Sequence, residues 1–285
     1  MRGAKPERAL DAVVIAAVAF EPGEPIVVAC SGGPDSVALA SVLDRVARER
    51  EAPLVIAHVN HGVRESAWQD ECVVLSVAAR LGRPVKIAAL SGVAADEGSL
   101  REARYAELAR IAREHGARTI ATAHTAEDQT ETVLLALFRG TGPDGLGGMP
   151  AERALDGDLR LVRPLLRAGH EELRAELARS GLPYALDPTN DDARYRRSAV
   201  RTALVALREE FPGLDRAVAR CAEILRAERS GDPRALERRA LRDRLRDEGL
   251  LRDIPFERIE AALTARPDAR VFLKPGLELD AGELR

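Results

Sequence analysis

The chain has 285 residues, 46% of them hydrophobic and 31% charged, with a formal net charge of −3. That length supports a sizeable core and favours two domains, and the apolar content is too high for a disordered chain. No apolar run approaches the roughly 20 residues that cross a bilayer, so a transmembrane protein is excluded. Of the 43 basic residues only Lys5, Lys86 and Lys274 are lysines. So balanced a total carries no overall signature of nucleic-acid binding, and a polyanion would have to meet local arginine clusters. Cys30, Cys72 and Cys221 are far apart and form no CxxC, zinc spacing or disulfide framework, which fits a reducing, cytoplasmic compartment.

Arg2, Lys5 and Arg8 precede an apolar stretch over 12–20 that loosely imitates a secretory signal. Asp11 interrupts it and a buried strand follows from Pro25, so an amphipathic first helix is expected. Strands are predicted over 25–30, 54–59, 85–90 and 119–123, with a fifth over 159–162. Helical patterns over 36–50, 67–81, 100–115 and 125–138 lie between them. Buried β-branched runs alternating with amphipathic helices predict right-handed βαβ units, hence an α/β fold whose parallel sheet carries helices on both faces. The remainder reads as mostly helical: 170–180, 196–210, 214–229, 233–248 and 256–264, closed by a short strand over 271–273. Phe211-Pro212-Gly213 breaks the pattern, so the expected domains are 1–212 and a smaller, mostly helical 213–285.

The sharpest local feature is Ser31-Gly32-Gly33-Pro34-Asp35-Ser36, between the first strand and a helix. Two glycines let the backbone approach an anion, the helix N-terminus offers free amides, and Asp35 can hold Mg²⁺ bridged to phosphate oxygens. The lysine-bearing P-loop pattern is absent. His58-Val59-Asn60-His61-Gly62-Val63-Arg64 ends the second strand. Ala123-His124-Thr125-Ala126-Glu127-Asp128-Gln129 ends the fourth, and His124 and Asp128 share one helix face four residues apart. Glu131 follows within a turn, and Arg101 and Arg104 flank a preceding helix start. Arg163-Pro164-Leu165-Leu166 and Asp187-Pro188-Thr189-Asn190 lie beyond. Residues 193–208 hold five arginines and no carboxylate, which predicts a cationic face suited to phosphates.

In order and spacing these segments resemble the tRNA(Ile)-lysidine synthetase family, of the PP-loop ATP pyrophosphatases with a Rossmann-like fold, over roughly residues 9–211. The resemblance implies that ATP adenylates the carbon-2 oxygen of the wobble cytidine of a tRNA(Ile) with a CAU anticodon, releasing pyrophosphate. The side-chain amine of free L-lysine then displaces AMP to give lysidine. It implies that Ser31, Gly32, Gly33, Pro34, Asp35 and Ser36 grip ATP, with His58 and Asn60 near the adenine or the anticodon base. Asp35, His124 and Asp128 would be catalytic; Asp35 and Asp128 would share Mg²⁺, and His124 would stabilise pyrophosphate charge. Arg101, Arg104, Glu131, Arg197 and Arg201 would meet tRNA or lysine, Glu131 alternatively the metal. A homodimer is compatible with this reading.

Where the family carries GHHxDDQ, this chain has Thr125 for the second histidine and Glu127 for the first aspartate, and Ser198 stands in place of a common asparagine. Residues 214–285 resemble only the first of the C-terminal domains of longer members. The competing readings are a catalytically silent tRNA- or nucleotide-binding module and another PP-loop tRNA-modifying enzyme. A thiolase of that kind needs paired cysteines or an iron–sulfur cluster, for which no CxxC is present.

Overall fold

The computed structural model describes residues 6–18, 21–60, 67–91, 96–186, 196–251, 254–266 and 268–280. Of the motif residues, His61 to Arg64, Asp187 to Asn190, Arg194 and Tyr195 lie outside these ranges. In chain order the first elements are α1 (Pro6–Ala17), β1 (Ile26–Ala29), α2 (Pro34–Glu49), β2 (Leu54–Asn60), α3 (Ala67–Leu81), β3 (Val85–Ala89), α4 (Glu97–Glu114) and β4 (Thr119–Ala121). They are followed by α5 (Ala126–Phe138), α6 (Pro143–Leu146), β5 (Glu152–Asp156), β6 (Leu159–Val162), α7 (His170–Ser180), α8 (Arg196–Glu210) and α9 (Leu214–Arg229).

Six strands form one sheet in the order β3-β2-β1-β4-β6-β5, all parallel except the edge pair β5 and β6. β1 and the first four residues of β2 are apolar because both faces of these strands are covered, and His58 and Asn60 enter only at the carboxyl end of β2. Ile26 and Val28 pack with Leu39 and Leu43 of α2 and Leu173 of α7. Val27, Ile120 and Leu161 face the other way, onto Tyr105, Leu108 and Ile111 of α4. The sheet therefore has helices on both faces, as the alternation of elements implied. α4 begins at Glu97 rather than Leu100, because Asp96 caps it by accepting from the Ser99 amide at 2.9 Å. β5 escapes the sequence pattern, since as an edge strand it is largely exposed and lacks an apolar run.

The chain runs from β1 outward to β2 and β3, then returns past β1 to β4. Neighbouring strands whose connections leave in opposite directions open a crevice at their carboxyl ends. This switch point places the residues after β1 beside those after β4, although some ninety positions separate them in the sequence.

Contacts divide the chain into two compact units, Met1–Arg220 and Cys221–Arg285. The Phe211–Gly213 turn separates α8 from α9, and the division falls within α9. The second unit contains α10 (Pro233–Asp247), α11 (Phe256–Thr264) and a hairpin of β7 (Arg270–Lys274) and β8 (Leu277–Asp280), packed around Leu241, Leu245, Ile259 and Leu273. No helix among the described residues is long and apolar enough to cross a membrane.

A buried carboxylate ties three helices together. Glu176 of α7 accepts from Ser41 Oγ at 2.6 Å and Arg45 Nη1 at 2.7 Å, both on α2, and Arg45 Nε reaches Asp11 of α1 at 3.2 Å. Burial alone would raise the Glu176 pKa, but the bonds from Arg179, Arg45 and Ser41 outweigh it and hold it at about 2, against an ordinary 4.5. A depressed carboxylate stabilises the fold above its unfolded pKa and loses that contribution as pH falls through the folded value. Glu176→Gln is therefore expected to cost about 3 kcal/mol at pH 7, a deficit that closes between roughly pH 4.5 and pH 2. Urea melts of both proteins across that range measure it, and a deficit independent of pH would refute the assignment.

Candidate active site

β1 ends at Ala29, and the turn that follows is braced from within. Ser36 Oγ donates to the Gly33 carbonyl at 2.8 Å and accepts from the Ser31 amide at 3.1 Å. This buried hydroxyl shapes the loop, whereas Ser31 is exposed, its Oγ accepting from the Gly33 amide at 3.4 Å. Gly32 has φ +91° and its backbone is buried against α3, where a Cβ would stand 3.1 Å from the Asp70 carbonyl oxygen. Glycine is required there on both counts. Pro34 starts α2 at its first position, which leaves the amides at the helix N-terminus facing the loop and puts Asp35 in the first turn.

After β4, Thr125 is the N-cap of α5. Its Oγ1 accepts from the Asp128 amide at 3.3 Å, and its own amide donates to Asp128 Oδ2 at 3.0 Å. This capping box fixes the Asp128 carboxylate at the mouth of the crevice. Thr125 thus has a structural role at the position where the resemblance implies histidine. Glu127 also uses its difference from aspartate: its longer arm reaches α7, where Oε1 accepts from the His170 amide at 2.8 Å beside Gly169. Its second oxygen is buried without a hydrogen-bond partner. Gln129 clamps the Gly-rich segment that follows α6, donating to the Met149 carbonyl at 2.9 Å and accepting from the Met149 amide at 2.7 Å.

Glu131, 3% exposed, lies one turn along α5. Arg201 Nε donates to its Oε1 at 2.6 Å, and Arg197 Nε lies 3.5 Å from Oε2. Arg201 also comes within 4.0 Å of Asp128. The arginines of α8 therefore do not all face outward. Arg197 and Arg201 turn inward onto α5, and Arg208 pairs with Asp215 at 2.9 Å.

Asp35 faces the same carboxylates from α2. Burial raises its pKa, as do the charges of Asp128 and Glu127, while His170 and Arg201 act in the opposite sense. His170, which sequence reasoning missed, lies with Nε2 3.7 Å from Asp35 and Nδ1 3.9 Å from Glu127. Its only sequence signal was a polar residue opening a helix after Arg163-Pro164-Leu165-Leu166. Three acidic side chains from two helices thus crowd one place, and their mutual repulsion is of the kind a divalent cation relieves.

His124 is held by Thr122, whose Oγ1 lies 3.0 Å from Nδ1. Burial holds its pKa at about 3, well under the ordinary 6.5; Asp128 pulls upward, and Arg163, Arg104 and Arg101 push further down. The ring is neutral at physiological pH and acts as a hydrogen-bonding group rather than a charge. Two other expected contacts, those of His58 and Asn60, are committed within the fold. His58 is buried with Nδ1 2.9 Å from the Cys30 carbonyl, and Asn60 donates to Glu71 at 2.6 Å. Arg101 and Arg104 lie on α4 over the ring of Tyr105.

Residues 7–208 match the family model described as the PP-loop domain. The chain belongs to the PP-loop family. The match takes in the Ser31–Ser36 turn and most of the first unit, Met1–Arg220. Among curated proteins, the chain is 39% identical over 268 residues to the tRNA(Ile)-lysidine synthase of Thermus thermophilus, covering 91% of this chain and 51% of that protein. It is 43% identical over 205 residues to the enzyme of the same name from Methylobacterium nodulans, covering 70% and 59%. The chain therefore spans between about half and three fifths of the length of these two relatives. Among solved structures, the PP-loop fold is shared with the U34-tRNA thiolase NcsA of Methanococcus maripaludis, at TM-score 0.65 and 18% identity, over 77% of this chain and 78% of that one.

The neutral state of His124 has a direct readout. In ¹³C-histidine-labelled protein its ring resonance is expected to stay flat from pH 5 to pH 8. A titration midpoint inside that interval would show that the ring carries charge at working pH.

Proposed function

We propose that this PP-loop chain is a tRNA-modifying ligase that forms lysidine. ATP would adenylate the wobble cytidine of a tRNA(Ile) with a CAU anticodon, and the side-chain amine of L-lysine would then displace AMP. The observation that carries the reading is the convergence of the phosphate loop, His124 and Asp128 at one switch point, in a chain about 40% identical to proteins named for that reaction.

In this reading Ser31, Gly32, Gly33 and Pro34 present the loop and helix amides to the ATP phosphates, and Ser36 keeps that loop in shape. Asp35 and Asp128 would hold Mg²⁺, which supplies neutralisation of phosphate charge during adenylation. The residues fit such an ion, because Asp35 lies among carboxylates that repel it. No group of three or more ligating side chains among the described residues is arranged to hold a metal alone, so phosphate oxygens and water would complete the shell. In this reading the Thr122 hydroxyl, 3.0 Å from Nδ1, would donate there rather than to the Val162 carbonyl at 3.4 Å, so His124 would carry its hydrogen on Nε2 and offer it to developing negative charge. The Glu131–Arg201 pair offers both signs to a lysine zwitterion, and Arg101, Arg104 and Arg197 are offered to the RNA. His58 and Asn60 brace the strand end from which the adenine or anticodon base is met. Free thiols at Cys30, Cys72 and Cys221 support a reducing, cytoplasmic setting, and a homodimer remains part of the proposal.

The test combines the protein with ATP, MgCl₂, L-lysine and a CAU-anticodon tRNA transcript, followed by nucleoside mass spectrometry. Lysidine should form with one AMP released per modified base, and omission of lysine or tRNA should suppress AMP release. Asp35→Asn should lower the rate by about 100-fold or more while the protein remains folded. Tight tRNA binding without any lysidine would instead identify a silent binding module.

A further inference from the structure

Four arginines converge on a single phenol in the first unit. Arg101 and Arg104 of α4 and Arg153 of β5 place their guanidinium carbons 5.6, 5.2 and 4.9 Å from the centre of the Tyr105 ring. Arg163, immediately after β6, is 2% exposed and donates from Nη1 to the Pro150 carbonyl at 2.8 Å. Among the described residues, no carboxylate pairs with any of the four. That contrasts with Arg197, Arg201 and Arg208, each of which has an acidic partner. Moreover, Arg104 Nε, Tyr105 Oη and Arg163 Nε are buried and make no hydrogen bond of good geometry, although the guanidinium groups of Arg104 and Arg163 lie near enough to the phenol to lower its pKa.

An aromatic face attracts cations far less strongly than an anion does, so the ring does not balance four guanidinium groups. Buried donors left unmade are costly, and a fold that keeps several together has a charge deficit that a ligand can fill. Arg101, Arg104 and Arg153 are half-buried and reach solvent, whereas Arg163 and Tyr105 are buried. Guanidinium forks and a phenolic hydroxyl are matched to phosphate oxygens.

The position of the cluster indicates which phosphate. Tyr105 belongs to the core on the α4 face of the sheet, and α2, which follows the phosphate loop, packs on the opposite face. Arg163, Arg104 and Arg101 all act on His124. An anion bound here would lie beside His124 but across the sheet from phosphates gripped by Ser31–Ser36. We propose that Arg101, Arg104, Arg153, Arg163 and Tyr105 form a preformed subsite for a backbone phosphate of the polynucleotide substrate, next to the nucleotide presented to His124. This rests on the RNA-directed reading above and adds Arg153, Arg163 and Tyr105 to it.

The test measures binding rather than catalysis. Affinity for a fluorescent RNA hairpin with a CAU loop is followed against KCl concentration for the wild type, Arg153→Gln and Arg101→Gln, with ATP affinity measured on the same proteins by calorimetry. Each substitution should weaken RNA binding by about 3- to 10-fold and lower the slope of log K against log salt by roughly 0.7–0.9, leaving ATP affinity unchanged. Because each relieves like-charge repulsion in the free protein, neither variant should melt below the wild type. Unchanged RNA affinity and slope would overturn the subsite. Loss of ATP affinity with RNA binding intact would assign the cluster to the nucleotide and overturn the polynucleotide assignment. A wild-type chain that binds the hairpin yet makes no lysidine would refute the catalytic reading alone and leave this inference standing.

Discussion

Negative charge buried on α5 constrains the rest of the first unit. A carboxylate as deep as Glu131 is tolerated only with a partner of good geometry, since losing one member of such a pair typically costs about 3–5 kcal/mol. Its partners come from α8, more than sixty residues on, so satisfying Glu131 also docks that helix. Glu127 draws the first amide of α7 toward the same turn, where the helix dipole favours an anion. Asp128 is held by its own N-cap. Three acids within five residues thus need three different sources of compensation, and meeting that need assembles the crevice wall.

The charge of the site is consequently divided. Asp35, Glu127 and Asp128 gather on the side of the phosphate loop, while guanidinium groups without a carboxylate partner among the described residues gather over Tyr105 of α4. His124 stands at the end of the strand between them. Burial and the nearby arginines keep its ring neutral, which lets it donate a hydrogen bond without adding to the local excess of positive charge. The Tyr105 phenol responds to the same field: burial raises its pKa, but Arg104, Arg101 and Arg163 together bring it below its ordinary value.

Much of this was legible in the sequence because it is local. The apolar run before Ser31, the helix pattern after it and the same sequence of signals around His124 each lie within about twenty residues, where periodicity and turn chemistry are informative. What the sequence could not show was pairing across distance. Residues 193–208 contain no acid, and counting alone makes α8 a cationic face; Glu131 and Asp215 supply the missing charges from other helices. Ser36 reads as a phosphate donor, yet its proton is directed to Gly33. His170 carries no spacing pattern of its own, and Arg163, though part of a motif, takes no role from it; only the strand order brings them near Asp35 and His124.

That strand order also bears on how two polyanions could meet. β1, β4 and β6 are consecutive neighbours, and their carboxyl ends deliver in turn the phosphate loop, His124 with Asp128, and Arg163. A triphosphate and a nucleic acid repel one another at close range, by about 4 kcal/mol per pair of unit charges 4 Å apart at an effective dielectric near 20. Keeping one anion on the α2 face and the other on the α4 face lengthens that separation everywhere except at the strand ends. There, in the proposed function, a cation on Asp35 and Asp128 would let a phosphate approach, whereas the Tyr105 cluster would itself receive an anion. The two halves of the site are therefore complementary to different ligands, and the neutral imidazole at their junction is compatible with both.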